Sequence, residues 1–144
     1  VTVDDLAQFL CEYDSGAPGC FEATRLASGR RNNNTIEING EKGSVFWSFE
    51  EQNYLYYFDN TNPLTEQGFR KINCTHDDHP YGGGYWPQGH GIGYADMFVN
   101  QARNFVTAII ENKEFQPDFH DGLVVQRVVD AIERSANEKR WIEL

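Results

Sequence analysis

No apolar run in this chain approaches the roughly 18 to 20 residues that cross a bilayer, and no secretory leader is visible, so neither a membrane span nor export is expected. Positive charge is scarce: 12 Lys and Arg stand against 22 Asp and Glu, a formal net charge of −10. Such a chain repels phosphate backbones and anionic lipid, which argues against nucleic acid and membrane surfaces as partners. Cysteine is sparse and odd in number; Cys11, Cys20 and Cys74 form no disulfide framework. Cys11 and Cys20 flank an expected hairpin and could face each other, and all three read as reduced core residues of a cytoplasmic protein. Neither a nucleophile elbow nor a triad pattern occurs. The first residue is Val and not Met, so the chain is expected to be processed or cut from something longer.

What is present is one domain's length, 144 residues, 40% of them hydrophobic. Twenty are aromatic (10 Phe, 7 Tyr, 3 Trp), which excludes a disordered chain. The first half alternates strands and turn signals. Residues 5–13 read as a strand, Asp14 to Pro18 as a turn, and 20–27 as the antiparallel partner. A polar loop from Ser28 to Asn34 follows. Residues 35–39 alternate cleanly, Gly40 to Gly43 turn the chain, and 44–49 return it. Residues 54–59 make a fifth strand and 69–74 a weaker sixth. After an unpatterned stretch from Thr75 to Gly93, Ala95, Phe98, Val99, Ala102, Phe105, Val106, Ile109 and Ile110 recur at helical spacing, predicting a buried helix from about Tyr94 to Asn112. Pro117-Asp118 opens a second helix, with Asp118 as N-cap, Asp121 three residues on, and a stripe of Val125, Val128, Val129 and Ile132. Trp141 and Ile142 read as a final strand or packing tail.

The expected fold is therefore α+β: a predominantly antiparallel or mixed open sheet of five to six strands, with two long helices packed on one face. Tyr54, Tyr56 and Phe58 point one way and Leu55 and Tyr57 the other; Val45, Trp47 and Phe49 oppose Phe46. Both faces are apolar, and two helices shield only one. The other face calls for a second copy of the chain or for sequence outside these residues. The rival is a sheet rolled into a barrel.

The unpatterned stretch carries most of the candidate chemistry, since a long irregular segment in a compact domain is functional or disordered. Gly89, Gly91 and Gly93 give G-x-G-x-G with no strand directly ahead, not the G-x-G-x-x-G of a dinucleotide site, so no cofactor-binding residue is assigned here. Cys74, His76 and His79, with His90 eleven residues further, hold zinc-type donors at a spacing that matches no common structural site. A solvated loop is the preferred reading, and no metal ligand is assigned. His90 sits between glycines, where backbone can approach a ligand closely, and an imidazole can both donate and accept. Tyr85 and Trp86 offer faces on which a sugar ring could stack, or they pack the loop on the sheet. Arg25 reads as mid-strand between Ala23 and Ala27, where it pairs with a carboxylate or contacts a polar ligand. Arg30 and Arg31 read as solvated. Glu50 and Glu51 point to opposite sides of the chain and make no acid/base pair. The candidate substrate-binding residues are His90, Trp86 and Arg25, and no catalytic residue is assigned.

Three segments resemble a known family. Ile36-Glu-Ile-Asn-Gly-Glu-Lys-Gly-Ser-Val45, Trp86-Pro-Gln-Gly-His-Gly-Ile-Gly-Tyr-Ala-Asp-Met-Phe98 and Phe119-His-Asp-Gly-Leu-Val-Val-Gln-Arg-Val-Val-Asp-Ala-Ile-Glu-Arg-Ser135 are similar, in order and spacing, to the C-terminal domain of the glucose–fructose oxidoreductase / inositol dehydrogenase / MocA family. The resemblance implies a single C-terminal substrate-binding and dimerisation domain over residues 1–144, with an N-terminal Rossmann domain for NAD or NADP absent from this chain. It implies hydride transfer to or from a sugar, cyclitol or related polyol, and a homo-oligomer formed through the open sheet face. The family's catalytic Glu-Lys-Pro and Asp-x-x-x-His motifs do not occur; Glu41-Lys42 is followed by Gly43 in a hairpin turn. The isolated chain is thus expected to be inactive. The alternatives are a free-standing carbohydrate-binding module stacking sugars on Trp86, Tyr85 and Trp47, and a zinc hydrolase built on Cys74, His76 and His79.

Overall fold

The computed structural model describes residues 3–144. Its elements run β1 (Leu6–Glu12), β2 (Pro18–Thr24), β3 (Thr35–Gly40), β4 (Gly43–Ser48), β5 (Tyr54–Asp59), β6 (Arg70–Asn73), α1 (Tyr94–Glu111) and α2 (Phe119–Glu138). The fold is α+β with open antiparallel strands and two long helices, as the sequence predicts. The six strands are dealt into a β1–β2 pair and a sheet of order β3-β4-β5-β6 whose edges do not meet, so the barrel is excluded. Contacts gather into two compact units, one holding the chain up to Gly29 with Thr107–Leu144, the other Arg30–Val106.

In the first unit, β1 alternates between exposed and half-buried positions, with Ala7, Phe9 and Cys11 on the sheltered side. Phe9 lies directly opposite Phe21 and stacks on it, ring centroids 4.8 Å apart. The register corrects the reading of the cysteines. Leu10 faces Cys20 and Cys11 faces Gly19, so the two thiols point to opposite sides of the ribbon. Neither belongs to a core: Cys20 is exposed, and Cys11, like Cys74, is half-buried; all three are free. In α2, the Asp118 carboxylate accepts from the backbone N–H of His120 and Asp121, the N-cap the sequence predicts, and Asp121 returns a bond to the Asp118 N–H, which makes the cap reciprocal. Lys139, in the left-handed region, ends the helix. Along the expected stripe Val128 and Ile132 are half-buried, while Val125 and Val129 stay exposed. Trp141 and Ile142 form no strand.

In the second unit the register sets Ile36, Trp47, Leu55 and Ile72 in one row, and Ile38, Val45, Tyr57 and Arg70 in the next, on one face. The edge strand leaves Ile36 54% and Ile38 57% exposed. The opposite face, read from sequence as simply apolar, carries charge as well. Lys71 lies 4.2 Å from the Tyr54 ring centroid and 2.6 Å from Glu51, and the Tyr56 hydroxyl donates to the same carboxylate. The hydrogen bond from Lys71, then that from Tyr56, holds the Glu51 carboxyl below its usual range, and Glu51 raises the Lys71 ammonium in turn.

The sequence also predicts a buried α1, and here the structure differs. No residue of either helix is buried, and among the described residues no apolar side chain is buried. Phe98 and Val99 are more than half exposed. No helix among the described residues is long and apolar enough to cross a membrane.

Candidate functional site

The irregular stretch between β6 and α1 folds onto the β4–β5 turn and onto α1. Thr75 anchors its start. This residue is 2% exposed; its hydroxyl donates to Asn73 Oδ1 (2.7 Å) and accepts from the Gly89 N–H (3.0 Å), closing the loop across 14 positions. Gly89 has φ +95°, a value that suits glycine. At the far end Asn53 clamps Ile92 in both directions: the Ile92 N–H donates to Asn53 Oδ1 (2.9 Å), and Asn53 Nδ2 donates back to the Ile92 carbonyl (3.1 Å). Gln52 Nε2 donates to the same carbonyl (2.9 Å). Gly93 then gives its N–H to the Asp96 carboxylate (2.6 Å), one turn into the helix.

Between these anchors a tyrosine-bearing arm lies against α1. The Tyr85 hydroxyl is 2.8 Å from Asn100 Oδ1 and 3.1 Å from the Asp96 carbonyl. The Tyr81 hydroxyl accepts from Asn104 Nδ2 (2.7 Å). Asp96, Asn100 and Asn104 recur every four residues, so one polar edge of the helix receives both tyrosines. The Phe49 ring adds an edge contact to Tyr94, 5.9 Å between centroids. Gly82 is buried where a Cβ would stand 2.1 Å from the His76 carbonyl oxygen; only glycine fits.

Asp77, His79, Tyr81, Tyr85, Asn100 and Arg103, with Val99 and two glycines, line a hollow of about 410 Å³ between arm and helix. The sequence reading singled out His79 and Tyr85 for other roles, and it missed Asn100, Arg103, Asn53 and Thr75. The i, i+4 recurrence of Asp96, Asn100 and Asn104 was the available signal.

The loop brings two of the three expected site residues together. Trp86 is 74% exposed, and its ring centroid lies 6.2 Å from that of His90. One His90 nitrogen, Nδ1, sits 2.8 Å from the Pro87 carbonyl, which leaves Nε2 without a protein partner among the described residues. Arg25 is not mid-strand. The Thr24 hydroxyl accepts from the Leu26 N–H (3.0 Å), ending β2 and bending the chain, so Arg25 lies one residue beyond the strand. It belongs to the first unit, is exposed, and its side chain forms no ion pair among the described residues. Arg30, read as solvated, pairs with Glu50 at 3.0 Å, while Glu51 turns to Lys71. Of the three stacking platforms of a carbohydrate module, two are engaged: Trp47 donates to the Gln52 carbonyl (3.1 Å) and Tyr85 is tied to α1. Among the described residues no group of three or more His, Cys, Asp or Glu is placed to hold a metal; His76 turns its Nδ1 to Asp78.

Comparison with known proteins gives a consistent picture. Residues 1–144 match the family described as the oxidoreductase family, C-terminal alpha/beta domain. A levoglucosan dehydrogenase of Pseudarthrobacter phenanthrenivorans is 37% identical over 145 residues, spanning 100% of this chain and 37% of that protein. Among solved structures, an oxidoreductase domain protein from Kribbella flavida superposes with a TM-score of 0.97 at 50% identity, over 99% of this chain and 38% of that one. Levoglucosan dehydrogenase in complex with NADH and levoglucosan superposes with a TM-score of 0.95 at 37% identity, over 100% of this chain and 39% of that one. The chain thus spans less than two fifths of the length of these relatives.

Proposed function

This chain belongs to the oxidoreductase family as its C-terminal α/β domain, and from that footing we propose that it is the substrate-binding and dimerising part of an NAD(P)-dependent dehydrogenase acting on a sugar, cyclitol or related polyol. The observation that carries the reading is the match, over the whole of this chain, to part of levoglucosan dehydrogenase, which has been solved with NADH and levoglucosan together. In this reading residues 1–144 act as one domain, and NAD or NADP binds to a Rossmann domain in the part of the enzyme that they do not span. Hydride transfer is the cofactor's chemistry; this chain supplies binding and orientation of the polyol. Trp86 offers a stacking face and the free nitrogen of His90 meets a substrate hydroxyl. A cytoplasmic setting accords with three unpaired thiols.

Residues 1–144 alone are therefore expected to neither bind the cofactor nor turn over. Titrating the isolated chain into NADH and NADPH while following nicotinamide fluorescence should give no saturable change. A dissociation constant in the micromolar range would overturn the division of labour.

The same reading gives the open face of the β3–β6 sheet to a second copy. Its support is the row of apolar residues on that sheet and the half-exposed Ile36 and Ile38 on its edge strand, an arrangement that single molecules rarely leave wet. Sedimentation equilibrium of the full-length enzyme should return at least twice the protomer mass, and a monomer at micromolar concentration refutes the assignment.

A further inference from the structure

The hollow between the tyrosine arm and α1 deepens the reading just given, on which it rests. We propose that this hollow is a pocket for a neutral polyhydroxylated ring, with Arg103, Asp77 and His79 as the side chains that select its hydroxyl pattern.

Four observations carry the assignment. The volume, about 410 Å³, falls within the range of roughly 300–1,000 Å³ that small-molecule sites occupy. The Tyr85 hydroxyl donates its hydrogen towards Asp96 and Asn100, while the Tyr81 hydroxyl accepts from Asn104 and keeps its own hydrogen to give, so the two residues offer the hollow their rings and one hydroxyl donor. An aromatic face suits the C–H side of a sugar ring and does not compete for its hydroxyls.

Three further lining side chains are polar and unspent. The side chains of Asp77, His79 and Arg103 make no hydrogen bond or ion pair among the described residues, although all three border one hollow. They also form a mixed set: the guanidinium only donates, the carboxylate only accepts, and an imidazole does both. Hydroxyl groups on adjacent ring carbons, each donor and acceptor at once, are what such a set satisfies. A forked guanidinium can span two neighbouring oxygens.

Charge then narrows the class. One arginine and one aspartate balance each other at the lining. A sugar acid or phosphate ester would bring its negative charge beside Asp77, with a single guanidinium to hold it, on a chain whose formal net charge is −10. A neutral ring meets no such opposition.

The test uses the full-length enzyme, assayed with NAD and NADP on a panel of neutral polyols and anhydrosugars, sugar acids and hexose phosphates. Arg103→Gln and Asp77→Asn should each raise KM for the favoured neutral polyol at least about tenfold, with kcat within about twofold. Arg103→Lys, which keeps the charge and loses the fork, should fall between. NADH affinity and sedimentation should not change, as they would if these residues served only structure. KM values within twofold of the parent for all three variants, on an enzyme that does oxidise a neutral polyol, overturn the pocket and leave the dehydrogenase reading standing. So does an effect confined to NADH affinity or to association. A preference for phosphorylated or acidic sugars overturns the neutral-ring assignment. Absence of turnover on every polyol with either cofactor removes the dehydrogenase reading itself, and the pocket with it.

Discussion

Replacing Gly82 by alanine in the full-length enzyme is expected to cost about 2 kcal/mol, with the loss confined to the arm that follows β6. The reason is geometric. A Cβ on Gly82 would lie 2.1 Å from the His76 carbonyl oxygen and 2.8 Å from its carbon, and both belong to backbone. A flexible side chain could swing away; a peptide unit cannot move without its neighbours. The neighbours here are pinned, because His79 gives its N–H to the His76 carbonyl (2.9 Å) and Gly82 gives its own to the His79 carbonyl (3.0 Å). Alanine would also remove freedom from the unfolded chain, a gain of only about 0.4–1 kcal/mol, which does not offset the clash. Gly84 is the control, since a Cβ there meets nothing within 4 Å and should be neutral or slightly stabilising. Cleavage by a nonspecific protease between Thr75 and Gly93, measured at equal enzyme concentrations, reads the difference. Equal cleavage of Gly82→Ala and Gly84→Ala would show that the close approach carries no weight.

How much of this was visible in the sequence divides along the range of the interactions. The Asp118–Asp121 cap, the start of α1 at Tyr94 and the Tyr54–Asp59 strand are set by neighbours within a few positions, and each was legible. The end of β2 was misplaced because one local bond, from the Leu26 N–H to the Thr24 hydroxyl, outweighs the alternating pattern that runs on to Ala27. The site itself was half legible. Glycine, tryptophan and histidine marked the loop as one that could approach a ligand, yet the residues that hold it were read as a turn and as unmarked positions. Asn53 and Ile92 are 39 positions apart, and no periodicity reports such a pair. Attention to the apolar stripe of α1 also hid its polar edge. The apolar residues fixed the helix as a helix, while Asp96, Asn100 and Asn104 decide which side of it meets the loop.

That clamp supports the second large effect. Asn53→Ala should speed amide exchange at Ile92 about thirtyfold, equivalent to roughly 2 kcal/mol of local stability. The two backbone groups of Ile92 are not equally exposed to loss. Its carbonyl accepts from both Asn53 Nδ2 and Gln52 Nε2, so either donor can go and the oxygen stays bonded. Its N–H has a single acceptor among the described residues, Asn53 Oδ1, and Ile92 is half-buried, where an unpaired donor costs about 1–3 kcal/mol. Gln52→Ala should therefore change exchange by less than about threefold, despite removing a bond of similar length. The double variant strips the carbonyl of both donors and should exceed the sum of the single effects, the signature of two residues sharing one partner. In the full-length enzyme the loosened Ile92 would also release the loop that carries Trp86 and His90, so KM for a polyol should rise in the same order as the exchange rate. Strict additivity in the cycle, or a Gln52→Ala effect as large as that of Asn53→Ala, would mean that the side chain of Asn53 is not what holds the loop to the sheet.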